Sequence, residues 1–372
     1  MQADLRELGP YMARALALAA EGMNLTSPNP RVGCVLVSPH GMVIGEGHTQ
    51  QAGGPHAEVM ALRDAQSQGT VTSGATAYVT LEPCSHHGRT GPCCDALVSA
   101  GVSRVVASIA DPNPLVGGQG FDKLRAAGIV VEVGCGAQQS RELNIGFFSR
   151  MIRKKPWVRM KLAASLDGKT ALNNGASQWI TSMPARADGH VWRARSCAIL
   201  TGTGTVFADD PQLTVRHLET VRQPHVVLVD SQLEIPLSAS IFVAGRATYI
   251  YAAAENASKI RALKSLGATI ILRPASNGKV DLKAMLEDLA LKEINELHVE
   301  AGHGLNGALL QEGLVDEFVI YLAPKLIGDG RGMISLGPLD NLAEATQLEF
   351  MSCTPIGPDL RIVAKVNHRD RF

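Results

Sequence analysis

TLEPCSHHGRTGPCCDAL, residues 80–97, decides the first fold once it is set beside GGPHAEVMAL, residues 53–62. The second run carries His56, Ala57 and Glu58 at the opening of an expected helix over 56–66. The first carries Pro83 and Cys84 just past an expected strand over 75–80, and Cys93 at the start of an expected helix over 93–100. Two thiolates and one imidazole make a zinc site whose fourth position stays open to water, as a catalytic ion requires. A helix start favours thiolate over thiol, so Cys93 stands where losing its proton costs little. Glu58, two residues past His56, can take a proton from the activated water and pass it to a departing amine. That is deamination chemistry. Zinc deaminases in general combine H-x-E with P-C-x-x-C, whereas here eight residues separate Cys84 from Cys93. A structural zinc with a fourth ligand from Cys94, His86 or His87 is the alternative, and it leaves Glu58 without a role. A buried histidine beside two inert cysteines is the plainer one.

Working outward, 372 residues predict two or three domains. With 45% hydrophobic, 19% charged and 4% aromatic residues, the chain reads as globular, which excludes disorder and fibre. Lys plus Arg equals Asp plus Glu at 35 each, and the first 150 residues hold 10 basic against 12 acidic groups. No field exists to hold a polyanion, so neither nucleic acid nor a membrane surface is an expected partner. The most apolar early run, 12–20, contains Arg14 and follows Asp4 and Glu7, which fits neither a membrane span nor a signal peptide. Seven cysteines, an odd number, argue against a disulfide framework and for a reducing, cytoplasmic setting.

Periodicity predicts, in the first half, a helix over 11–21, a hairpin of 32–37 with 42–47, strands over 104–109 and 129–133, and helices over 121–127 and 141–151. Strands alternating with helices imply a layered α/β sheet. The basic segment Arg153, Lys154, Lys155, Pro156 then marks a boundary between residues 1–152 and 153–372. A second α/β pattern follows, with strands over 157–163, 198–201, 226–229, 247–251, 269–272, 296–300 and 317–323. Its helices are expected over 184–195, 282–291 and 306–312. Two glycine-rich loops, 201–205 and 300–307, suit cofactor phosphates, because glycine lets backbone N–H groups approach an anion at a helix start. Either could equally be a tight turn, and neither is a G-x-G-x-x-G fingerprint.

TLEPCSHHGRTGPCCDAL, SPNPRVGCVLV (27–37) and GGPHAEVMAL closely resemble the deaminase half of the bifunctional riboflavin-biosynthesis deaminase/reductase family, and the long loop between the cysteines looks like that family's own version. KLAASLDGKTAL (161–172), SQWITS (177–182), ADDPQLTVR (208–216) and VEAGHGLNGALL (299–310) resemble its reductase half. The resemblance implies an α/β chain with a cytidine-deaminase-like N-terminal domain and a dihydrofolate-reductase-like C-terminal domain. By matched position, His56, Cys84 and Cys93 bind Zn2+, and Glu58 shuttles the proton. Ala163, Trp179, Thr205, Asp209, Ser231, Gly302, His303, Gly304, Leu305, Asn306, Gly307 and Ala308 hold NADPH. Ser177, Arg193, Leu213, Arg216, Glu300 and Asn29 contact substrate, Asn29 at the pyrimidine edge unless it is only a turn residue. Arg193 and Arg216 have a chemical rationale as well, since guanidinium forks suit a phosphate dianion. Trp179 could equally be a core aromatic, and Lys161 and Asp167 are supporting polar residues. The implied function is zinc-dependent deamination of 2,5-diamino-6-(5-phosphoribosylamino)pyrimidin-4-one, then NADPH-dependent reduction of its ribosyl group to ribityl. A small-molecule substrate and a homo-oligomer are the implied partners.

Overall fold

Strands of the described residues fall into separate sheets in the two halves, and the computed structural model, which describes residues 8–86, 91–114 and 116–372, divides into units Met1–Arg153 and Lys154–Phe372. The first unit runs α1 (Gly9–Glu21), β1 (Gly33–Val37), β2 (Val43–His48), α2 (Ala57–Ser67), β3 (Thr76–Val79), α3 (Cys93–Ser99), β4 (Arg104–Ala107), α4 (Gln119–Ala126), β5 (Val130–Val133), α5 (Ala137–Leu143) and α6 (Ile145–Arg153). Its five strands lie in the order β2-β1-β3-β4-β5, with β1 antiparallel to both neighbours and β3, β4 and β5 parallel.

β1 reads GCVLV and is buried at every position, because α1 and α2 both pack against it. Helix α1 turns Met12, Ala15, Leu16 and Ala19 inward, the spacing of one helical face. Helix α2 lies close on β2 because Gly45 and Gly47 carry no side chain there. A Cβ at Gly45 would stand 2.3 Å from the Ala61 carbonyl oxygen, and one at Gly47 would stand 2.5 Å from Met60 Cβ. These two glycines set the height of α2, whose first residues carry His56 and Glu58.

The second unit runs β6 (Trp157–Ser165), β7 (Lys169–Leu172), α7 (Met183–Arg195), β8 (Ala198–Gly202), α8 (Thr203–Asp209), β9 (His225–Val229), β10 (Thr248–Ala252), α9 (Ala257–Ser265), β11 (Ala268–Leu272), α10 (Leu282–Leu291), β12 (Glu296–Val299), α11 (His303–Gln311), β13 (Glu317–Ala323), β14 (Gly330–Gly332), β15 (Leu348–Ile356) and β16 (Asp359–Val366). Nine strands lie in the order β11-β10-β9-β8-β12-β6-β13-β16-β15; those from β11 to β13 are parallel and the final hairpin is antiparallel. β12 enters last between β8 and β6, so the connections diverge there, where open α/β sheets place their ligands beyond the strand ends.

One face of β12 sends Leu297 and Val299 into the main core with Val158, Met160 and Leu286. The other face carries Glu296 and His298, continued by Glu300, and receives charge from β6 and α7. Arg159, 1% exposed, bonds Glu296 at 2.8 Å and Glu317 at 2.9 Å, and Arg195 reaches Glu296 at 2.8 Å. Removing one partner of such a buried network is costly, so it constrains how β6, β12, β13 and α7 pack.

Several elements go beyond the sequence expectations. Both glycine-rich loops are helix starts: α8 begins at Thr203 after Gly202, and α11 begins at His303 rather than Asn306. Helix α9, the short pair β7–β14 and the hairpin β15–β16 also went unread. β15 is exposed along most of its length, so its sequence, LEFMSCTPI, shows no buried alternation to read.

A Gly45→Ala substitution is expected to destabilise the N-terminal unit by about 1–3 kcal/mol, because the new methyl meets a helix backbone that cannot rotate away. Urea denaturation followed together with zinc content should show stability and metal retention falling together as α2 is displaced.

Candidate functional site

In the first unit three elements bring sulfur and nitrogen to one point. His56 is the N-cap of α2, Cys84 follows β3 on a loop, and Cys93 opens α3 behind Pro92. The His56 Nδ1 atom lies 3.5 Å from Cys84 Sγ and 3.4 Å from Cys93 Sγ, and the three ligand atoms all lie within 4.8 Å of one another. The Cys93 backbone N–H donates to Cys84 Sγ at 3.3 Å. Hydrogen bonding to Cys93 holds the Cys84 thiol well below its ordinary value. Two sulfurs and one imidazole nitrogen at these separations fit a tetrahedral zinc with three protein ligands.

The fourth-ligand alternatives fare differently. Cys94 Sγ turns away to the carbonyls of Pro83 and Gly120, at 3.2 and 3.5 Å. His86 is not in the cluster, and His87 lies outside the described residues. Glu58 is 3% exposed; burial lifts its carboxyl to about 7, with the charge of Cys84 acting in the same direction. Glu82, unread in the sequence, braces the loop before Cys84: its carboxylate accepts N–H groups of Asp111, Gly118 and Gly120 at 3.0, 2.9 and 2.8 Å. Asn29 is half-buried and tied through its backbone N–H to Thr26, without a hydrogen bond to the cluster.

In the second unit a cavity of about 280 Å³ opens beside residues 161–163 of β6 and past the end of β12. It brings together Ala163, Ser177, Trp179, Thr205, Asp209 and Glu300, with His303, Asn306 and Lys161. Trp179 is 64% exposed, which disposes of its reading as a core aromatic, and Arg186 stacks on it at 4.3 Å. Gln178 Nε2 donates to Asp209 at 3.3 Å. Gln178 and Thr181 could have been read from SQWITS, but Arg186 stands inside an ordinary helix pattern and gave no signal.

Other expected residues stand back from this cavity. Gly307 faces the Ser335 backbone, where a Cβ would meet the carbonyl oxygen at 2.0 Å. Leu305 and Ala308 pack on the main core, and Leu213 is buried in the second. Gly302 caps α11, whose first turn contains Gly304. Ser231 follows β9, and its hydroxyl accepts the Val280 N–H at 3.3 Å. Asp167 collects the N–H groups of Ile327 and Gly328 and the Ser165 hydroxyl, so it ties a loop rather than facing the cavity.

The two arginines differ. Arg193 forks onto Glu300 at 2.5 and 2.8 Å and gives its remaining nitrogen to the Thr214 carbonyl at 3.0 Å. Burial alone would raise the Glu300 carboxyl, but the charge and hydrogen bonds of Arg193 pull it well below the usual carboxylate range. Arg216 is exposed, anchored by its backbone N–H on His190 Nδ1, and its guanidinium makes only long contacts to Gln212 and Thr214, at 3.3 and 3.4 Å. For a dinucleotide the cavity offers the first turns of α8 and α11 and the buried Asn306 Oδ1, which has no hydrogen-bond partner among the described residues and suits an amide N–H.

The fold and the two sites define a class, a zinc-type pyrimidine deaminase followed by a nucleotide-dependent reductase. Residues 6–109 match the cytidine and deoxycytidylate deaminase zinc-binding region, and residues 156–362 match the RibD C-terminal domain. The riboflavin biosynthesis protein RibD of Escherichia coli is 48% identical over 364 residues, spanning 94% of this chain and 97% of that protein. That of Aquifex aeolicus is 41% identical over 355 residues, spanning 95% and 97%. Acinetobacter baumannii RibD superposes with a TM-score of 0.89 at 40% identity, covering 98% of this chain and all of that one. A diaminohydroxyphosphoribosylaminopyrimidine deaminase/5-amino-6-(5-phosphoribosylamino)uracil reductase from Thermotoga maritima superposes at 0.84 with 30% identity, covering 98% of this chain and 100% of that one. The chain belongs to the RibD family of bifunctional riboflavin-biosynthesis deaminase/reductases.

Replacing Arg193 with Met leaves Glu300 buried without its cation, and should destabilise the second unit by about 3–5 kcal/mol near pH 7. In the parent, ionised Glu300 stabilises above the carboxyl range of about 4.3, and this is lost as pH falls. In the variant burial raises the carboxyl instead, so it takes up a proton as pH falls and the gap between the two proteins narrows. Urea denaturation at pH 7 and pH 5 measures that gap.

Proposed function

We propose that the N-terminal unit hydrolytically deaminates 2,5-diamino-6-(5-phosphoribosylamino)pyrimidin-4-one and that the C-terminal unit reduces the product's ribosyl group to ribityl with NADPH. The observation that carries the first half is a buried carboxyl, Glu58, poised near neutrality beside a His-Cys-Cys cluster to which it need contribute no ligand. His56, Cys84 and Cys93 hold zinc, which supplies Lewis acidity that makes water a nucleophile near neutral pH. Glu58 accepts the proton that water loses as its oxygen bonds the ring carbon. It passes that proton to the adjacent ring nitrogen and then carries the remaining hydroxyl proton to the exocyclic nitrogen, so the C–N bond breaks, ammonia leaves and the ring keeps a carbonyl beside a protonated ring nitrogen. Asn29 meets the pyrimidine edge.

In the C-terminal unit, Ala163, Trp179, Thr205, Asp209, Ser231 and the 302–308 segment hold NADPH, which supplies the hydride. Ser177, Leu213, Arg216 and Glu300 orient the opened ribose, Leu213 through its backbone. Arg193 acts mainly through Glu300, because each of its nitrogens already holds Glu300 or the Thr214 carbonyl. That leaves the exposed Arg216 as the phosphate contact. The working division of the chain is 1–152 for deamination and 153–372 for reduction. Self-association is part of this reading, supported by β15, an edge strand that leaves Phe350 73% exposed beside Leu348 and Met351. A cytoplasmic setting is supported by seven cysteines, none of which forms a disulfide.

Mass spectrometry of products formed with and without NADPH tests the reaction order directly. Cys84→Ser and Cys93→Ser should each lose zinc, since each removes one of three protein ligands. Glu58→Ala should keep the metal yet lose roughly 10²–10⁴-fold in deamination, while reducing pre-deaminated substrate normally. Zinc lost from Glu58→Ala would make Glu58 a ligand and remove the proton shuttle.

Arg216→Ala should raise KM for the sugar phosphate roughly ten- to a hundredfold, the size of a charge-assisted phosphate contact, with little change in NADPH affinity. Loss of NADPH binding with NADH binding retained would place Arg216 on the cofactor instead.

A further inference from the structure

β12 carries a histidine that neither half-reaction uses. His298 is 0% exposed, lies on the same strand face as Glu296 and Glu300, and is paired across the ladder with Arg159 of β6 and Ile199 of β8. Its Nε2 atom is 3.5 Å from Glu300 Oε1, and neither ring nitrogen has a hydrogen-bond partner among the described residues. A buried imidazole with both nitrogens unsatisfied costs stability, and a core position flanked by Leu297 and Val299 could hold an apolar residue more cheaply. The charges that bear on the ring are Glu300 on its own strand, Arg159 and Lys161 from β6 and Arg193 from α7.

We propose that His298 is a positioning residue of the reductase, whose ring nitrogen, 3.5 Å from Glu300 Oε1 before substrate binds, closes to a hydrogen bond on the inner side of the carboxylate in the substrate complex and so sets the face that Glu300 turns to the ribosyl group. Arg193 grips Glu300 from the helix side through both carboxylate oxygens, which aligns the carboxylate with the guanidinium plane. His298 stands on the strand side, 3.5 Å from Oε1, and limits how far the pair can shift inward. Burial, then the neighbouring cations, push the imidazole down to about 3, so the ring stays uncharged through the working range and does not compete with Arg193 as a second cation. The inference rests on the reading that Glu300 faces the substrate.

His298→Gln and His298→Met separate this role from space-filling, because the two side chains have similar length and only Gln offers an N–H. In the full chain, His298→Met should raise KM for the ribosyl substrate roughly tenfold, the loss expected when one donor to a charged group is removed, with kcat and NADPH affinity much less affected. His298→Gln should stay close to the parent, and the deaminase reaction reports that each chain is intact. Equal KM increases in both variants, or parent-like KM in His298→Met, would overturn the proposal. Glu300→Gln completes the set: if it leaves KM unchanged, the reading of Glu300 fails and the role of His298 goes with it. If it raises KM while His298→Met does not, His298 alone is overturned.

Discussion

Holding charge away from water is the constraint on which both units depend. In the first, two sulfurs, an imidazole and a carboxyl share a pocket from which solvent is largely excluded, and a cation between the ligand atoms is what makes that grouping favourable. The helix starts reduce the remaining cost by offering N–H groups to sulfur, as Cys93 does to Cys84. The same burial that threatens stability lifts Glu58 into the range where it can both accept and release a proton.

The second unit meets the constraint along a strand instead of around an ion. β12 divides its faces completely: Leu297 and Val299 anchor the apolar core, while Glu296, His298 and Glu300 form a file of polar groups answered by Arg159, Arg193 and Arg195. At the lower end Arg159 and Glu296 are enclosed and specify packing. At the upper end Glu300 reaches the cavity, so the file passes from the core to an open site over a few residues. Arg193 illustrates the shift, because a cation that might hold a phosphate is committed to holding a carboxylate.

Where the two half-reactions differ in geometry, the difference follows from connectivity. The ligands of the first unit come from the loop after the central strand β3, from the start of α3 and from the start of α2, which glycines on β2 let lie close to the sheet. The cavity of the second lies at the strand ends beside the late-inserted β12, where diverging connections leave space. A lid of polar and aromatic groups, Trp179 with Arg186 stacked on it, borders that space.

The deaminase site was nearly complete in the sequence, because metal ligation demands particular residue types and HAE with the Pro83–Cys84 pair leaves few other readings. The alternation of strands and helices likewise announced two α/β layers, since hydrophobic period is a local property. What the sequence could not determine is how a donor is used once its neighbours arrive. Arg193 and Arg216 look alike in the chain, and only folding commits one to Glu300 and leaves the other exposed. Gly307 sits in a glycine-rich run, and only folding shows that the Ser335 backbone leaves no room for a side chain there. His298 lies in an unremarkable strand, and its meaning comes from residues 105 or more positions earlier, Arg193 and Arg159, that the sheet brings alongside. Residue type and period are written locally, whereas the partners of a hydrogen bond, and hence the charge and freedom of a side chain, belong to whichever distant segments the sheet makes adjacent.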